Sequence, residues 1–328
     1  MNQVDAYADL KNLLSSPVCI NEPLARYGTW KIGGAADILI SPCNIEDVCK
    51  ARAYIYRHNI PSVVIGDGSN ILFDDEGFRG IVIHIGQNLA NLDIKENGNV
   101  VAESGIWIPY FVWKVCRAGL VGCEHAIGVP GTLGGLIVMN GGTDRRGIGE
   151  QLVEATAITP EGSIATYDKQ ECTFSYRTSS FHKNNNIIVS SQFQYELGDP
   201  RELRRYMLRK LQQRNLKFPR KMPNCGSVFL SNPEMYKVVG PPGKAIEDSG
   251  LKGFKCGGAM ISHQHANFIV NTGNASSSDV LSLIRSVREA VYRRSGHIMN
   301  CEVHHLRPDG KMVPAHESAE QEGLEHFA

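Results

Sequence analysis

Two glycine-rich segments and a few isolated polar positions carry most of the chemistry this sequence offers. The first segment, Gly66-Asp67-Gly68-Ser69-Asn70, follows the apolar run Val63-Val64-Ile65. Glycines after a strand let backbone N–H groups converge on phosphate oxygens, and Ser69 and Asn70 add side-chain donors. The segment departs from the dinucleotide fingerprint, because Ile71 stands where a third glycine belongs and no helix clearly opens there. Taken alone, a GxG after a strand is also a common plain turn. The second segment, Gly128-Val129-Pro130-Gly131-Thr132-Leu133-Gly134-Gly135, continues to Met139-Asn140-Gly141-Gly142. So many glycines make poor core material and suit a backbone laid closely against a flat or phosphorylated ligand. Together the two loops point to a dinucleotide, larger than a single phosphate would explain.

The remaining candidates are Tyr176-Arg177, Gly226-Ser227 and Glu302. Each is ordinary in isolation: a serine after glycine is usually a turn, and a lone glutamate is usually on the surface. The histidine pairs His263/His265 and His304/His305 lack a cysteine or carboxylate at ligand spacing, so no metal is expected. Nine cysteines lie scattered with no CxxC pair, and the odd count in a long chain reads as reduced thiols.

The stretches that must position these residues read as short elements. After a short N-terminal helix, residues 36–40 form a strand, 45–58 a helix and 62–65 a second strand. Residues 81–85 and 100–102 continue the short-strand pattern, and 109–118 has apolar positions at helical spacing. Strands follow at 153–159, 163–167 and 187–195, with Pro160-Glu161-Gly162 as a hairpin turn. Strands outnumber helices without alternating strictly with them, which favours an α+β fold. Pro200 introduces a basic helix over 201–215, and residues 201–221 hold nine Lys or Arg against one Glu. The simplest reading is a solvated face; the sharper one puts some of these cations near a diphosphate. From Lys217 a second unit carries helices at 244–249 and 278–294 and a strand at 267–270. The tail from Arg307 is polar, contains Pro and Gly, and is expected to be loosely ordered or extended.

At 328 residues, with 42% hydrophobic and 21% charged positions, the chain is long enough for two or three domains. Its formal net charge of zero gives no general attraction to nucleic acid or an anionic membrane surface. No apolar run approaches membrane-spanning length, and the N-terminal residues lack a signal-peptide hydrophobic region, so a cytoplasmic location is expected.

Taken in order, these residues resemble the UDP-N-acetylenolpyruvoylglucosamine reductase family (MurB type). The likeness runs from about Asn21 to about Glu302 and is carried by Lys31-Ile32-Gly33-Gly34-Ala35, both glycine-rich segments, Tyr176-Arg177-Thr178-Ser179-Ser180-Phe181, Gly226-Ser227-Val228-Phe229, GKAIEDSGLKG at 243–253 and HANFIVN at 265–271. The resemblance implies a vanillyl-alcohol-oxidase-like (PCMH-type) FAD domain in two α+β parts over residues 1–199, a substrate-binding domain over 200–306 and a polar tail over 307–328. It implies non-covalent FAD held by Lys31, Gly33, Gly66, Asp67, Gly68, Ser69, Asn70, Gly128, Pro130, Gly131, Thr132, Gly134 and Gly135. It implies NADPH as hydride donor and a UDP-amino sugar enolpyruvyl ether as substrate, bound by Tyr176, Asn232 and His265 in a monomeric enzyme.

Arg177, Ser227 and Glu302 are the implied catalytic residues. A guanidinium fork grips a carboxylate at two points, and Ser227 is the family's proton donor. The short interval between Arg177 and Ser227 resembles the branch lacking an extra substrate-capping loop. Two departures stand out. Phe229 is followed by Leu230-Ser231-Asn232-Pro233 instead of a shorter lysine-containing turn, and Asn300 stands where a first glutamate is common. They leave open a paralogous flavin reductase or oxidase of the same fold acting on another nucleotide-linked or sugar substrate.

Overall fold

The computed structural model describes residues 3–231 and 233–325. The chain divides into two compact units built from interleaved stretches: Met1–Ile20, Asp37–Asp67 and Gly80–Arg214 form the first, and Asn21–Ala36, Gly68–Arg79 and Asn215–Ala328 the second. These units are not collinear with a cut after residue 199. The basic helix Pro200–Lys217 stays with the first unit through Arg214, because Leu203 and Met207 are buried in that unit's core. Residues 21–36 and 68–79 cross to the second unit, where Trp30, Ile32 and Leu72 are buried.

In the first unit, helix Ile45–His58 begins where its sequence says it should. Asn44 accepts a hydrogen bond from Asp47 N–H at 2.8 Å, Glu46 and Asp47 occupy the first turn, and Arg57 and His58 the last. Asn59, in the left-handed region at φ 50°, ends it. Val48, Ala51 and Ile55 bury one face against Ile38, Ile40, Ile81 and Ile83. The latter belong to a four-stranded sheet in the order Val18–Pro23, Ala35–Ile40, Phe78–His84, Ser62–Ile65.

Asp47 also accepts from Ser15 Oγ at 2.8 Å and from Ser16 Oγ, tying the chain after the N-terminal helix to this second helix. Burial pushes its carboxyl pKa up, but the hydrogen bonds from Ser16 and Ser15 outweigh it and the net is below the ordinary value. A carboxylate depressed in the folded state stabilises the fold above its unfolded pKa of about 4, and that contribution fades as pH falls through the folded value. Asp47→Ala is expected to lower unfolding stability by about 1–3 kcal/mol at neutral pH. In urea titrations the gap from wild type should narrow as pH falls from the unfolded value of about 4 through the lower folded one. A gap that does not change with pH would show that the charge is irrelevant.

The five-stranded sheet of the first unit is antiparallel throughout, in the order Ile164–Asp168, Leu152–Ile158, Ile187–Gln194, Asn99–Glu103, Leu92–Ile94. Helix Ile108–Arg117 buries Phe111, Val112 and Val115 in its core. The expected α+β class is what forms.

The second unit holds two three-stranded sheets. One orders Met312–Pro314, His304–Leu306, Ile71–Phe73, and the other Lys255–Cys256, Ala259–Ile261, Ile269–Asn271. Its long helix Ser277–Ser295 opens on a capping box between Ser276 and Asp279 and closes at Gly296, φ 70°. Over residues 307–325 the tail is ordered, contrary to the expectation from its polarity. Met312–Pro314 joins a sheet, and helix Ala315–Glu325 buries Ala315 and Ala319, four residues apart on one face. Two alanines are a faint apolar signal, so its partners decide its structure.

Candidate functional site

Within the first unit the two glycine-rich segments meet. A Cβ added to Gly66 would stand 2.1 Å from Thr132 Oγ1, so only glycine permits that approach. The second segment is held edge-on to residues 104–108. Ile108 N–H donates to Gly131 O (3.0 Å), Leu133 N–H to Ile106 O (2.9 Å) and Gly134 N–H to Ser104 O (2.8 Å). Gly131 adopts φ +117°, which favours glycine. Pro130 and Gly135 are exposed, Gly134 is half-buried, and Thr132 is buried. The segment is not all loop: Leu133–Val138 is a helix with Leu133, Leu136 and Ile137 in the core. Three apolar residues at helical spacing override the glycines there, correcting the view of this stretch as poor core material.

Gly128 is covered by Arg214 of the basic helix, whose Cδ and Nε would both lie 2.4 Å from a Cβ at that position. One cation of the basic run therefore lies on the second glycine segment, while Lys210 pairs with Asp144. Ser104 escaped the sequence reading. Its Oγ is buried with no hydrogen-bond partner among the described residues, and its Cβ lies 2.9 Å from where a Cβ of Gly134 would be. A buried, unsatisfied hydroxyl beside a side-chain-free backbone fits a polar ligand edge such as a flavin ring, since such groups normally find partners.

The first loop divides between the units: Gly66 and Asp67 lie in the first, and Gly68, Ser69 and Asn70 in the second. Gly68 adopts φ +55°, and a Cβ there would stand 2.5 Å from Tyr27 O. Asn70 Nδ2 donates to Glu302 O at 3.0 Å, and Asn70 O accepts from His304 N–H at 3.0 Å. The amide read as a phosphate donor thus also holds the backbone of Glu302. Lys31 is exposed at φ 59° with Nζ 3.3 Å from Arg26 O, and Gly33, φ +130°, lies against Phe73.

Tyr176 and Arg177 form the tip of a two-residue turn in the first unit. Ser175 N–H donates to Thr178 O (3.1 Å), and Thr178 N–H donates back to Ser175 O (3.3 Å). Arg177 sits at φ 58°, the position where a type II turn prefers glycine. Its guanidinium lies 5.1 Å from the centroid of the exposed Tyr176 ring, and Nη2 donates to Gly142 O at 3.4 Å.

In the second unit, Ser227 and Glu302 come together through the backbone of one intervening residue. Glu302 N–H donates to Val228 O at 2.8 Å, and Phe229 bridges Cys301. Gly226 precedes Ser227 at φ 78° and donates to Asn224 Oδ1 at 2.9 Å. The segment after Ser227 is clamped by Asn267. Its buried amide accepts from Phe229 N–H (2.9 Å) and donates to Phe229 O (3.0 Å), while its own carbonyl takes Val228 N–H (2.9 Å). A polar residue inside the apolar run Ala266-Asn267-Phe268 was the available signal for this role.

His265 is half-buried beside Phe218 and Phe268, with ring centroids 5.3 and 5.1 Å away. Burial, then Lys217 and Lys252, depress its pKa to about 4, so it is a neutral imidazole accepting from Asn267 N–H. Leu230 N–H donates to Asn300 O at 2.9 Å, so the two departures from the family pattern are neighbours. Asn232 lies outside the described residues.

A family model described as an FAD binding domain matches residues 36–168, which together with the α+β fold places the chain among FAD-binding flavoproteins. A second model, the C-terminal domain of UDP-N-acetylenolpyruvoylglucosamine reductase, matches residues 218–306. The chain is 46% identical over 299 residues to UDP-N-acetylenolpyruvoylglucosamine reductase 1 of Corynebacterium glutamicum, covering 91% of this chain and 89% of that protein. It is 38% identical to the reductase of Carboxydothermus hydrogenoformans, over 90% of this chain and 95% of that one. The crystal structure of the Thermus caldophilus reductase aligns with a TM-score of 0.75 at 29% identity, over 89% of this chain and 99% of that one. The chain belongs to the UDP-N-acetylenolpyruvoylglucosamine reductase family.

Proposed function

We infer that the protein reduces UDP-N-acetylglucosamine enolpyruvate to UDP-N-acetylmuramate with NADPH and FAD, a step in making peptidoglycan precursors. The observation that carries this is the 46% identity with a reductase of that name over 91% of the chain. FAD, when bound, supplies the two-electron carrier that accepts hydride from NADPH and delivers it to the enolpyruvyl methylene carbon. Gly66, Asp67, Thr132, Gly134, Gly135 and Ser104 of the first unit would hold it.

The protein's own task is to stabilise charge on the substrate and to deliver one proton. As hydride arrives, negative charge spreads from the neighbouring carbon into the carboxylate. Arg177 holds that carboxylate with its fork, and Ser227 Oγ–H gives its proton to the α-carbon, completing the addition of two hydrogens across the double bond. Glu302 assists as a hydrogen-bond donor in this reading, a role open to it only with its carboxyl protonated or sharing a proton. Tyr176, Asn232 and His265 contribute to substrate binding in this reading. The nucleotide-linked substrates support a cytoplasmic location. Among the described residues no helix is long and apolar enough to cross a membrane.

The adjacent departures at Leu230-Ser231 and Asn300 favour one second reading, a paralogue acting on another nucleotide-linked enol ether. Anaerobic reduction with NADPH followed by UDP-N-acetylglucosamine enolpyruvate separates the two. Rapid return of the oxidised flavin spectrum with UDP-N-acetylmuramate formed is the expected result. Reduction without reoxidation by this substrate would transfer the assignment to the paralogue. Acid precipitation should release FAD into the supernatant; flavin retained in the pellet would be covalently tethered and would contradict the non-covalent site.

A further inference from the structure

The tail helix Ala315–Glu325 lies beyond the residues matched by the C-terminal family model, which ends at 306. It packs chiefly on the long helix Ser277–Ser295, and its first turn is hydrogen-bonded to the segment that carries Glu302. Cys301 N–H donates to His316 Nδ1 at 3.1 Å, and Ala315 N–H donates to Val303 O at 3.0 Å, so both neighbours of Glu302 are bonded to the first turn of the helix. Further along, Ser318 Oγ meets His305 Nδ1 at 2.9 Å, and Arg307 donates to Gln321 Oε1 at 2.8 Å. Glu320 pairs with Arg288 of the long helix. On its other side, Glu302 is bonded through its N–H to Val228 O and through its carbonyl to Asn70 Nδ2.

We propose that the tail helix is a backing element for Glu302 and that His316 is its positioning residue, fixing the backbone at Cys301 through its Nδ1 acceptor. The proposal rests on the reading of Glu302 as a catalytic residue. Its physical basis is that a reacting group must be held within a fraction of an ångström, and supporting hydrogen bonds to its backbone do that. His316 acts through the backbone of Cys301 in this proposal. Burial, then Arg288, holds its pKa below the ordinary histidine value, which keeps the ring in the accepting form.

The test compares full-length holoenzymes carrying His316→Leu, His316→Asn and Glu302→Ala in anaerobic stopped-flow. Hydrogen exchange is read on the peptide containing Cys301. His316→Leu should slow flavin reoxidation by the enolpyruvyl substrate about ten-fold or more, with reduction by NADPH and apparent substrate affinity changed less than about three-fold. Exchange at Cys301 should accelerate. His316→Asn, whose Oδ1 can replace the acceptor, should return reoxidation to within about three-fold of wild type. Should His316→Leu fail to fold, His316→Asn alone decides: near-wild-type turnover with a protected Cys301 amide supports the acceptor role, and turnover lowered about ten-fold with that amide protected overturns it. Normal reoxidation by His316→Leu alongside a slow Glu302→Ala would overturn the proposal and leave the Glu302 reading intact. Normal reoxidation by Glu302→Ala would remove the reading and the proposal with it.

Discussion

Ser227→Ala is expected to leave reduction of the flavin by NADPH within about two-fold of wild type and to slow reoxidation by the enolpyruvyl substrate about 10²–10³-fold. The split follows from where the residue acts. Hydride delivery from NADPH requires no proton from the protein at the substrate carbon, whereas the second half-reaction cannot finish without one. Losing one preorganised donor at a developing charge typically costs about 2.7–4 kcal/mol, which is the predicted range. The substitution should spare the fold. Ser227 is half-buried, and its neighbours are fixed by backbone bonds that alanine retains: Gly226 to Asn224, Val228 to Asn267 and Glu302 to Val228. A thermal melt matching wild type, with the two half-reactions separated by stopped-flow, is the informative combination. If both half-reactions fell together, Ser227 would have to act on the flavin site or on the structure, and its role as proton donor would be wrong.

The second large effect is expected at Arg177, where activity should fall while stability stays close to wild type. A non-glycine residue in the left-handed region is held there at a cost of about 1–2 kcal/mol, and Arg177 adopts φ 58° at the tip of its turn. Arg177→Gly relieves that strain and keeps both hydrogen bonds between Ser175 and Thr178. Against this stand the loss of the long 3.4 Å bond to Gly142 O, the packing on Tyr176 and the greater freedom of glycine in the unfolded chain. The net is a protein as stable as wild type to within about 1 kcal/mol. Activity should drop about 10²–10³-fold in kcat/KM for the enolpyruvyl substrate, because the only fork assigned to its carboxylate is gone. Arg177→Lys should fall between the two, keeping the charge but not the two-point grip. An unchanged kcat/KM in Arg177→Gly would mean that another group holds the carboxylate. A large fall in melting temperature would mean that the contacts to Gly142 and Tyr176 outweigh the strain.

Local signals were legible wherever one short window contained the whole cause. Apolar spacing alone predicts a helix at 45–58 and a strand at 62–65, and Ile45–His58 and Ser62–Ile65 form with those bounds. The same holds for the hairpin around Pro160-Glu161-Gly162, where Ile158 pairs with Ile164. Of the short strands of the second unit, one was read, at 267–270, and forms as Ile269–Asn271; most of the others were not legible. Ile71–Phe73 pairs in parallel with His304–Leu306, more than two hundred residues away, and neither strand has an alternating pattern long enough to announce itself. Helix Leu133–Val138 was hidden by Gly134 and Gly135 within it, although its three core residues have helical spacing.

The site divides in the same way. By its motifs and their order, the sequence alone determined the family, the flavin chemistry and the residue types available for it, because those are properties of side chains and of short glycine-bearing turns. Only the tertiary structure decided that Gly66 touches Thr132 and that Ser104 is buried beside Gly134. It also decided that Arg177 is held in a strained turn, that Asn267 clamps the chain after Ser227, and that the tail is a helix bonded to both neighbours of Glu302. Apart from the Arg177 turn, which is local, each of these is a hydrogen bond or close approach between residues separated in the chain. Such contacts are set by the requirement that buried polar groups find partners and buried surfaces fit, and that requirement leaves no periodic trace in the residues that meet it.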